Sequence, residues 1–270
     1  MERLIDSERI NYAVSGSHGF IGGAVSERLT NDGHNVKKIG RQGIRMHNAQ
    51  VFVDCAGYGN LYGQTNVSEI YKANVERAID LVLRNEEEHY RAFILLSTSS
   101  VKLPVQTYYS ASKHAMEEFV KVYARDTQKP VVAIRPYSIT GVGEQKEHLI
   151  PKLIDSCLNQ TPMSFVTEPV HDFLDIDDFV DGVLTVAAHA SENPGAIYSI
   201  GSGHQHTNLE VRELVEEVTG KRANITVVSE PMRKYDTEKN WIADNTAICA
   251  LGWEPKKTLI QSIEEMVNAY

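Results

Sequence analysis

Asn11-Tyr12-Ala13-Val14-Ser15-Gly16-Ser17-His18-Gly19-Phe20-Ile21-Gly22-Gly23 is the stretch that decides the architecture. Asn11 to Ser15 read as a short buried strand, and the glycines at 16, 19 and 22 follow it directly. Ala24, Val25 and Leu29 then continue at helical spacing. Strand, glycine-rich turn and helix in this order turn backbone N–H groups and a helix N-terminus towards a pyrophosphate. The glycines let the chain reverse tightly, let a phosphate approach the backbone and let helix and strand pack closely. Gly16, Gly19, Phe20, Ile21 and Gly22 are therefore the expected contacts of a bound dinucleotide.

Outward from this unit, Gly33 to Ile39 read as a second strand ending at Gly40-Arg41. In a dinucleotide fold the residue at that point reads the adenosine ribose. An acid accepts from the 2′-hydroxyl of NAD, whereas an Arg accommodates the 2′-phosphate of NADP. The chain offers Arg41, with Arg45 close behind and no acid, so NADP(H) is the preferred cofactor and NAD(H) the alternative. Only about ten residues then precede the apolar run Gln50-Val-Phe-Val-Asp54-Cys-Ala56-Gly57, too few for a full helix and a further strand. The adenine side is expected to be trimmed and open, with Ala56 and Gly57 against the cofactor.

Ser68 to Arg84 show apolar residues at helical spacing, with Asn74 inside the helix, either exposed or lining a site. Arg91 to Leu96 form a buried strand that opens into Ser97-Thr98-Ser99-Ser100-Val101. Hydroxyls at the carboxyl end of a parallel strand sit where open α/β sheets bind ligands. In Tyr109-Ser-Ala-Ser-Lys113, at the start of the next helix, a phenol and an ammonium share one helix face. A cation beside a phenol favours the phenolate and lowers its pKa from about 10 towards neutrality. Such a tyrosine can exchange a proton with an alcohol or sugar oxygen. Val131 to Arg135 read as another strand, closed by Pro136-Tyr-Ser138-Ile-Thr-Gly141.

These motifs in this order resemble the extended short-chain dehydrogenase/reductases, and within them the NAD(P)-dependent nucleotide-sugar epimerase/dehydratase/reductase family. The resemblance rests on Gly-x-x-Gly-x-x-Gly, Asn74-Val75, Ser97-Thr98-Ser99-Ser100-Val101, Tyr109-x-x-x-Lys113 and Arg135-Pro136. It extends through His171-Asp-Phe-Leu-Asp-Ile-Asp177-Asp178, Ala196-Ile-Tyr-Ser-Ile-Gly201-Ser-Gly203, Arg233-x-x-Asp236 and Leu251-Gly252-Trp253-x-Pro255, and so covers nearly the whole chain. It implies an α/β fold, a Rossmann-type doubly wound parallel sheet with a smaller C-terminal substrate-binding lobe. Residues 1–143 would be the NAD(P)-binding domain, segment 168–190 would return to it, and 144–270 would be mainly the nucleotide-sugar lobe.

Carried over by position, Thr98 would bond the reacting sugar oxygen and Tyr109 would be the acid/base. Lys113 would lower the Tyr109 pKa and hold the nicotinamide ribose, with Asn74 in the supporting proton relay. Pro136 would join the cofactor contacts. Thr98, Ser99, Ser100, Ser138, His171 and Arg233 would line the substrate, a nucleotide-diphosphate sugar. Relatives often dimerise through the helices of the tyrosine and the asparagine, which implies a homodimer here.

Departures from the family pattern narrow the chemistry. In its 4,6-dehydratases Asp and Glu follow the catalytic Thr; Ser99 and Ser100 cannot remove water at neutral pH. His171 replaces a phosphate-binding Arg, and Ser138 stands where relatives often have Asn. The expectation is one reduction of a 4-keto(-6-deoxy) sugar nucleotide by NADPH, with Tyr109 as general acid, in carbohydrate biosynthesis. The alternative is a nucleotide-sugar 4-epimerase that never releases its NAD. A third reading is a non-catalytic cofactor-binding regulator on the same fold.

Composition excludes other classes. A net charge of −9 and the lack of a Lys/Arg block argue against a nucleic-acid surface. The first ten residues carry charges where a signal peptide needs an apolar run, and no stretch approaches a membrane span. Cys55, Cys157 and Cys249 are scattered in apolar-looking segments, as in a reducing cytoplasm. His204-x-His206 lacks neighbouring carboxylates or cysteines, so no metal site is expected.

Overall fold

The computed structural model describes residues 9–40, 48–61, 63–229 and 238–270. Arg41, Arg45 and Arg233 lie outside the described residues. Strands β1 (Asn11–Ser15), β2 (Asn35–Ile39), β3 (Val51–Asp54), β4 (Ala92–Leu96) and β5 (Val131–Pro136) form the main sheet together with β9 (Ile197–Ile200). The order is β2-β1-β3-β4-β5-β9, and every pairing is parallel. Parallel strands covered on both faces are apolar at successive positions, as in the wholly buried Ala-Phe-Ile-Leu-Leu of β4. The edge strand β2 instead carries exposed Lys37 and Lys38, charges that discourage pairing with another chain. Among the described residues nothing pairs with its outer side, in keeping with the short span between β2 and β3.

Helices cover both faces. α1 (Phe20–Asn31) and α6 (Ile176–His189) pack on one, where Val25, Leu29, Phe179 and Val183 join Val14, Val53, Ile94 and Ile134 in a single core. On the other face lie α2 (Val67–Tyr71), a π-helical turn (Lys72–Glu76), α3 (Arg77–Arg84) and α4 (Tyr108–Thr127). The core there contains Phe52 stacked on Phe93 at 4.7 Å, with Leu81, Met116 and Val120. The span 68–84 is thus helical, as its periodicity predicts, but a π turn interrupts it. One extra residue per turn rotates Asn74 inward, where it is 1% exposed.

The smaller lobe has its own core. α5 (Leu149–Asn159), α7 (Asn208–Thr219) and α9 (Leu259–Asn268) pack together around Ile150, Leu153, Phe165, Phe173, Val211 and Ile263. Above them β6 (Ser138–Thr140), β8 (Val170–Asp175) and β10 (Gln205–Thr207) form a mixed sheet, and β7 (Met163–Phe165) pairs in parallel with β11 (Ile225–Val227). The chain returns to the main sheet through α6, which contacts α1 and β4, and through β9 beside β5. The short α8 (Thr246–Cys249) contacts α6, and the following segment is latched there. Trp253 Nε1 donates to the Asp178 carbonyl at 3.0 Å, and the Lys256 and Lys257 N–H groups both donate to the Asp178 carboxylate at 2.8 Å. Cys157 is buried and Cys55 half-buried, whereas Cys249 is exposed. Among the described residues no helix is long and apolar enough to cross a membrane.

Candidate active site

The glycine-rich turn joins β1 to α1 at the carboxyl edge of the sheet. Gly16 has φ +65°, and a Cβ there would lie 2.8 Å from Ala56 N. A Cβ on Gly22 would lie 2.3 Å from Gly16 O, so the helix start and the turn are in direct backbone contact. Gly19 caps α1 without a side-chain acceptor, which leaves the first-turn N–H groups around Phe20 and Ile21 for a ligand. Ser17 Oγ, in the same turn, is buried with no hydrogen-bond partner among the described residues. An open N-terminus, a sterically exclusive backbone cradle and an orphaned hydroxyl together fit a dinucleotide pyrophosphate.

The second cluster lies where β3 and β4 end against α4. Thr107 and Ser110 form a reciprocal capping box that fixes the start of α4 and hence the Tyr109 position. Lys113, one turn on, is 5% exposed and donates from Nζ to Leu96 O at 2.6 Å. Asn74 reaches it from the π turn. Its Nδ2 donates to Tyr58 O (2.8 Å) and Ser112 Oγ (3.0 Å), while its Oδ1 accepts from Tyr58 N (3.0 Å). Ser112 Oγ in turn donates to Tyr109 O at 2.7 Å. The segment after β3 crosses directly over the pair. A Cβ on Gly57 would be 3.4 Å from both Lys113 Nζ and Asn74 Oδ1, and one on Gly59 (φ +106°) would be 3.2 Å from the Tyr109 ring. Asn74 and Lys113, distant in sequence, thus meet at Gly57, with the Tyr109 ring against Gly59.

Electrostatics around Lys113 are unusual. Burial is the main cause that lowers its pKa to about 8; Asp54 raises it and Arg77 lowers it further. Thr98, half-buried at the end of β4, starts a 3₁₀ turn, Ser99–Lys102. Its Oγ1 accepts from Ser100 N at 3.3 Å and lies 2.9 Å from Ser100 Oγ. Ser99 is buried beside it, and neither serine position carries a carboxylate. The Thr98 hydroxyl therefore caps a turn just beyond the carboxyl end of β4, the edge at which open α/β sheets bind ligands.

On the smaller lobe, Ser138 pairs in register with Phe173, and His171 packs edge-on to Phe173 at 5.6 Å. Alternate residues of a strand share a face, so Ser138 and His171 line one side of the mixed sheet, with His206 directly opposite His171. Asp172 points the other way and is fully buried. It accepts from Ser202 N (2.6 Å), Gly203 N (3.1 Å) and Ala243 N (2.8 Å), so it organises loops rather than meeting a ligand. Pro136 closes β5 in register with Ile200.

Residues 12–201 match the NAD dependent epimerase/dehydratase family. The chain belongs to that family. Among its relatives, CDP-abequose synthase of Salmonella typhimurium is 26% identical over 294 residues, which cover 94% of this chain and 96% of that protein. Low-salt glycan biosynthesis protein Agl12 of Haloferax volcanii is 28% identical over 165 residues, 60% of this chain and 52% of that protein, so the chain spans about half the length of that relative. MoeE5 in complex with UDP-glucose and NAD superposes with a TM-score of 0.86 at 21% identity, over 96% of this chain and 98% of that one. RMD from Pseudomonas aeruginosa complexed with NADPH gives 0.82 at 16% identity, over 97% and 98%. At these identities the superpositions establish the fold. Membership makes this an enzyme of the NAD- or NADP-dependent nucleotide-sugar epimerase/reductase kind.

In this epimerase/dehydratase family member, two buried ion pairs escape sequence reading. Glu117, fully buried four residues beyond Lys113, accepts from Arg135 Nε (2.7 Å) and a terminal Arg135 nitrogen (2.6 Å), and from Ser97 Oγ (2.5 Å). It ties α4 to β4 and β5 next to Thr98. Its signal was the continuation of the Tyr109, Lys113 spacing by four more residues. Asp54 and Arg77 form the other pair at 2.7 Å, and no local spacing announces it.

Proposed function

We propose that this family member reduces a 4-keto(-6-deoxy) sugar nucleotide, with Tyr109 as the general acid and NADPH as the preferred reductant. The observation that carries the reading is the pairing of a complete Tyr109–Lys113–Asn74 cluster with Ser99 and Ser100 in place of any acid or base after Thr98. A site equipped for proton delivery but not for water removal favours a single reduction over dehydration.

The reduced nicotinamide, when bound, supplies the hydride. Thr98 Oγ1 holds the ketone oxygen, which polarises the carbonyl and fixes it against Tyr109. The Tyr109 hydroxyl delivers the proton that turns the developing alkoxide into an alcohol, and its own charge is then balanced by the Lys113 ammonium. A Lys113 pKa of about 8 leaves the ammonium charged at neutral pH yet able to pass its proton on. Asn74 holds Tyr58 and Ser112 so that this short path keeps its geometry. Ser138 and His171 are proposed to meet the nucleotide diphosphate, with an imidazole in the place of a permanent cation. Arg41 and Arg233 are proposed for the 2′-phosphate and the sugar nucleotide. The chain divides, on this reading, into a cofactor domain of residues 1–143 joined by 168–190, and a substrate lobe from the rest of 144–270. Two copies pair through α2 and α4, which touch each other and expose Val67, Tyr71 and Val122.

The test begins with denaturing the purified protein and identifying any released nucleotide, followed by fluorescence titration with NADPH and NADH. Empty protein that prefers NADPH and oxidises it with a 4-keto-6-deoxy sugar nucleotide supports the reductase. Near-stoichiometric NAD that does not exchange overturns it in favour of an epimerase. Unchanged turnover in Tyr109→Phe would refute a catalytic role for the tyrosine altogether.

A further inference from the structure

Four residues close a ring under the site through backbone and side-chain groups. Ser15 Oγ donates to Asp54 Oδ1, and one terminal Arg77 nitrogen donates to both Asp54 oxygens at 2.8 and 2.7 Å. The same nitrogen reaches Ala56 O at 3.3 Å, and Ala56 N returns to Ser15 Oγ at 3.4 Å. Arg77 Nε is itself fixed on Ala73 O at 3.2 Å, next to Asn74. The ring therefore joins the last residue before the phosphate turn, the segment over Lys113 and the helix that presents Asn74.

Both partners are largely withdrawn from water: the Asp54 side chain is 3% exposed and that of Arg77 16%. A buried carboxylate without its guanidinium would be a strongly uncompensated charge. The nearest large consequence is for Lys113, which feels both groups. Unpaired, Asp54 would attract the ammonium and draw Nζ from Leu96 O.

We propose that Asp54 and Arg77 are positioning residues of the proton-delivery site, the pair fixing residues 54–58 over Lys113 and cancelling the field of the Asp54 carboxylate on its ammonium. This rests on the reading of Lys113 as the partner of Tyr109. Other charged or ionisable groups acting on Lys113 are Cys55 on the segment after β3 and Glu117 on α4. Burial pushes the Cys55 thiol up, so it stays neutral, and Glu117 is already held by Arg135. The Asp54–Arg77 pair is then the adjustable part of the field.

The experiment is an NMR titration of the Lys113 ε-methylene in full-length, ¹³C-lysine-labelled protein, with the signal assigned through Lys113→Arg. Loss of a neighbouring cation favours the ammonium, and loss of a neighbouring anion disfavours it. Arg77→Met should raise the midpoint by about one unit and Asp54→Asn should lower it by about as much. Arg77→Lys, and the double variant Asp54→Asn/Arg77→Met, should titrate close to the unaltered protein. A merely structural role would move both single variants the same way or neither, and either result overturns the proposal. Should Arg77→Met fail to fold, the downward shift in Asp54→Asn decides alone. Since the titration needs no substrate, it stands apart from any failure to find reductase turnover. Where turnover is found, the basic limb of kcat should move with the NMR midpoint.

Discussion

Lys113 shows how a single residue can be held against its own solvation. Its ammonium is buried on the Leu96 carbonyl, and burial lowers its pKa from 10.5 to about 8. Below that value the lysine is charged in folded and unfolded chains alike, and the folded state bears the full desolvation cost. Between about 8 and 10.5 the folded lysine is neutral while the unfolded one still holds its proton, so stability rises with pH. The difference in unfolding free energy between the native protein and Lys113→Met should therefore favour the native protein more at pH 10 than at pH 7, by on the order of 2 kcal/mol in denaturant melts. A difference that falls with pH would contradict the depressed pKa. On the proposed role of Tyr109 as general acid, Tyr109→Phe should lower turnover by about 10²–10⁴-fold while NADPH affinity changes little. The tyrosine and lysine were legible because the helix repeat places them together. Asp54 and Arg77 were not, because they lie on different elements and no spacing encodes them; Glu117 continues the helix repeat, but its partner Arg135 lies on β5.

At the scale of elements, the glycine-rich turn was the most legible feature, since its steric demand is written in residue type. Gly22→Ala would place a methyl 2.3 Å from Gly16 O, a distance that only backbone movement can relieve. The expected outcome is a loss of cofactor affinity of at least about tenfold and a destabilisation of about 1–3 kcal/mol, measured by NADPH titration and thermal unfolding. Gly23→Ala is the contrasting case, because a Cβ there meets nothing closer than Ser17 O at 3.7 Å and should bind nearly as well. The helix 68–84 was legible in extent but not in kind. Its apolar residues keep helical spacing on both sides of Lys72–Glu76, so nothing in the pattern marks the π turn. The fate of Asn74, exposed or inward, depended on that turn, which follows from packing against α4 and from the Tyr58 backbone groups that Asn74 satisfies.

For the whole molecule, the buried strands could be read from their apolar runs, the parallel sheet followed from the family resemblance, and the brevity of the stretch between β2 and β3 pointed to the edge at β2. The smaller lobe was less legible, since its three-residue strands β6, β7, β10 and β11 carry too few residues for a period to show. The same scale holds the proposal of two copies joined through α2 and α4. Tyr71 on α2 is 39% exposed and Val122 on α4 46% exposed, while Val227 on β11, in the other lobe, is 60% exposed. Exposure alone would place Val227 ahead of Tyr71 and Val122, but scattered apolar residues are ordinary on a surface. Two contacting helices that each expose apolar residues offer a surface that a second copy can cover. A charge placed in such an interface would be desolvated without a partner. Val122→Glu or Tyr71→Glu should therefore weaken dimerisation by at least about 100-fold in sedimentation experiments. Val227→Glu should leave the mass unchanged. Dimers that survive both helix variants, or dissolve with Val227→Glu, would move the interface elsewhere.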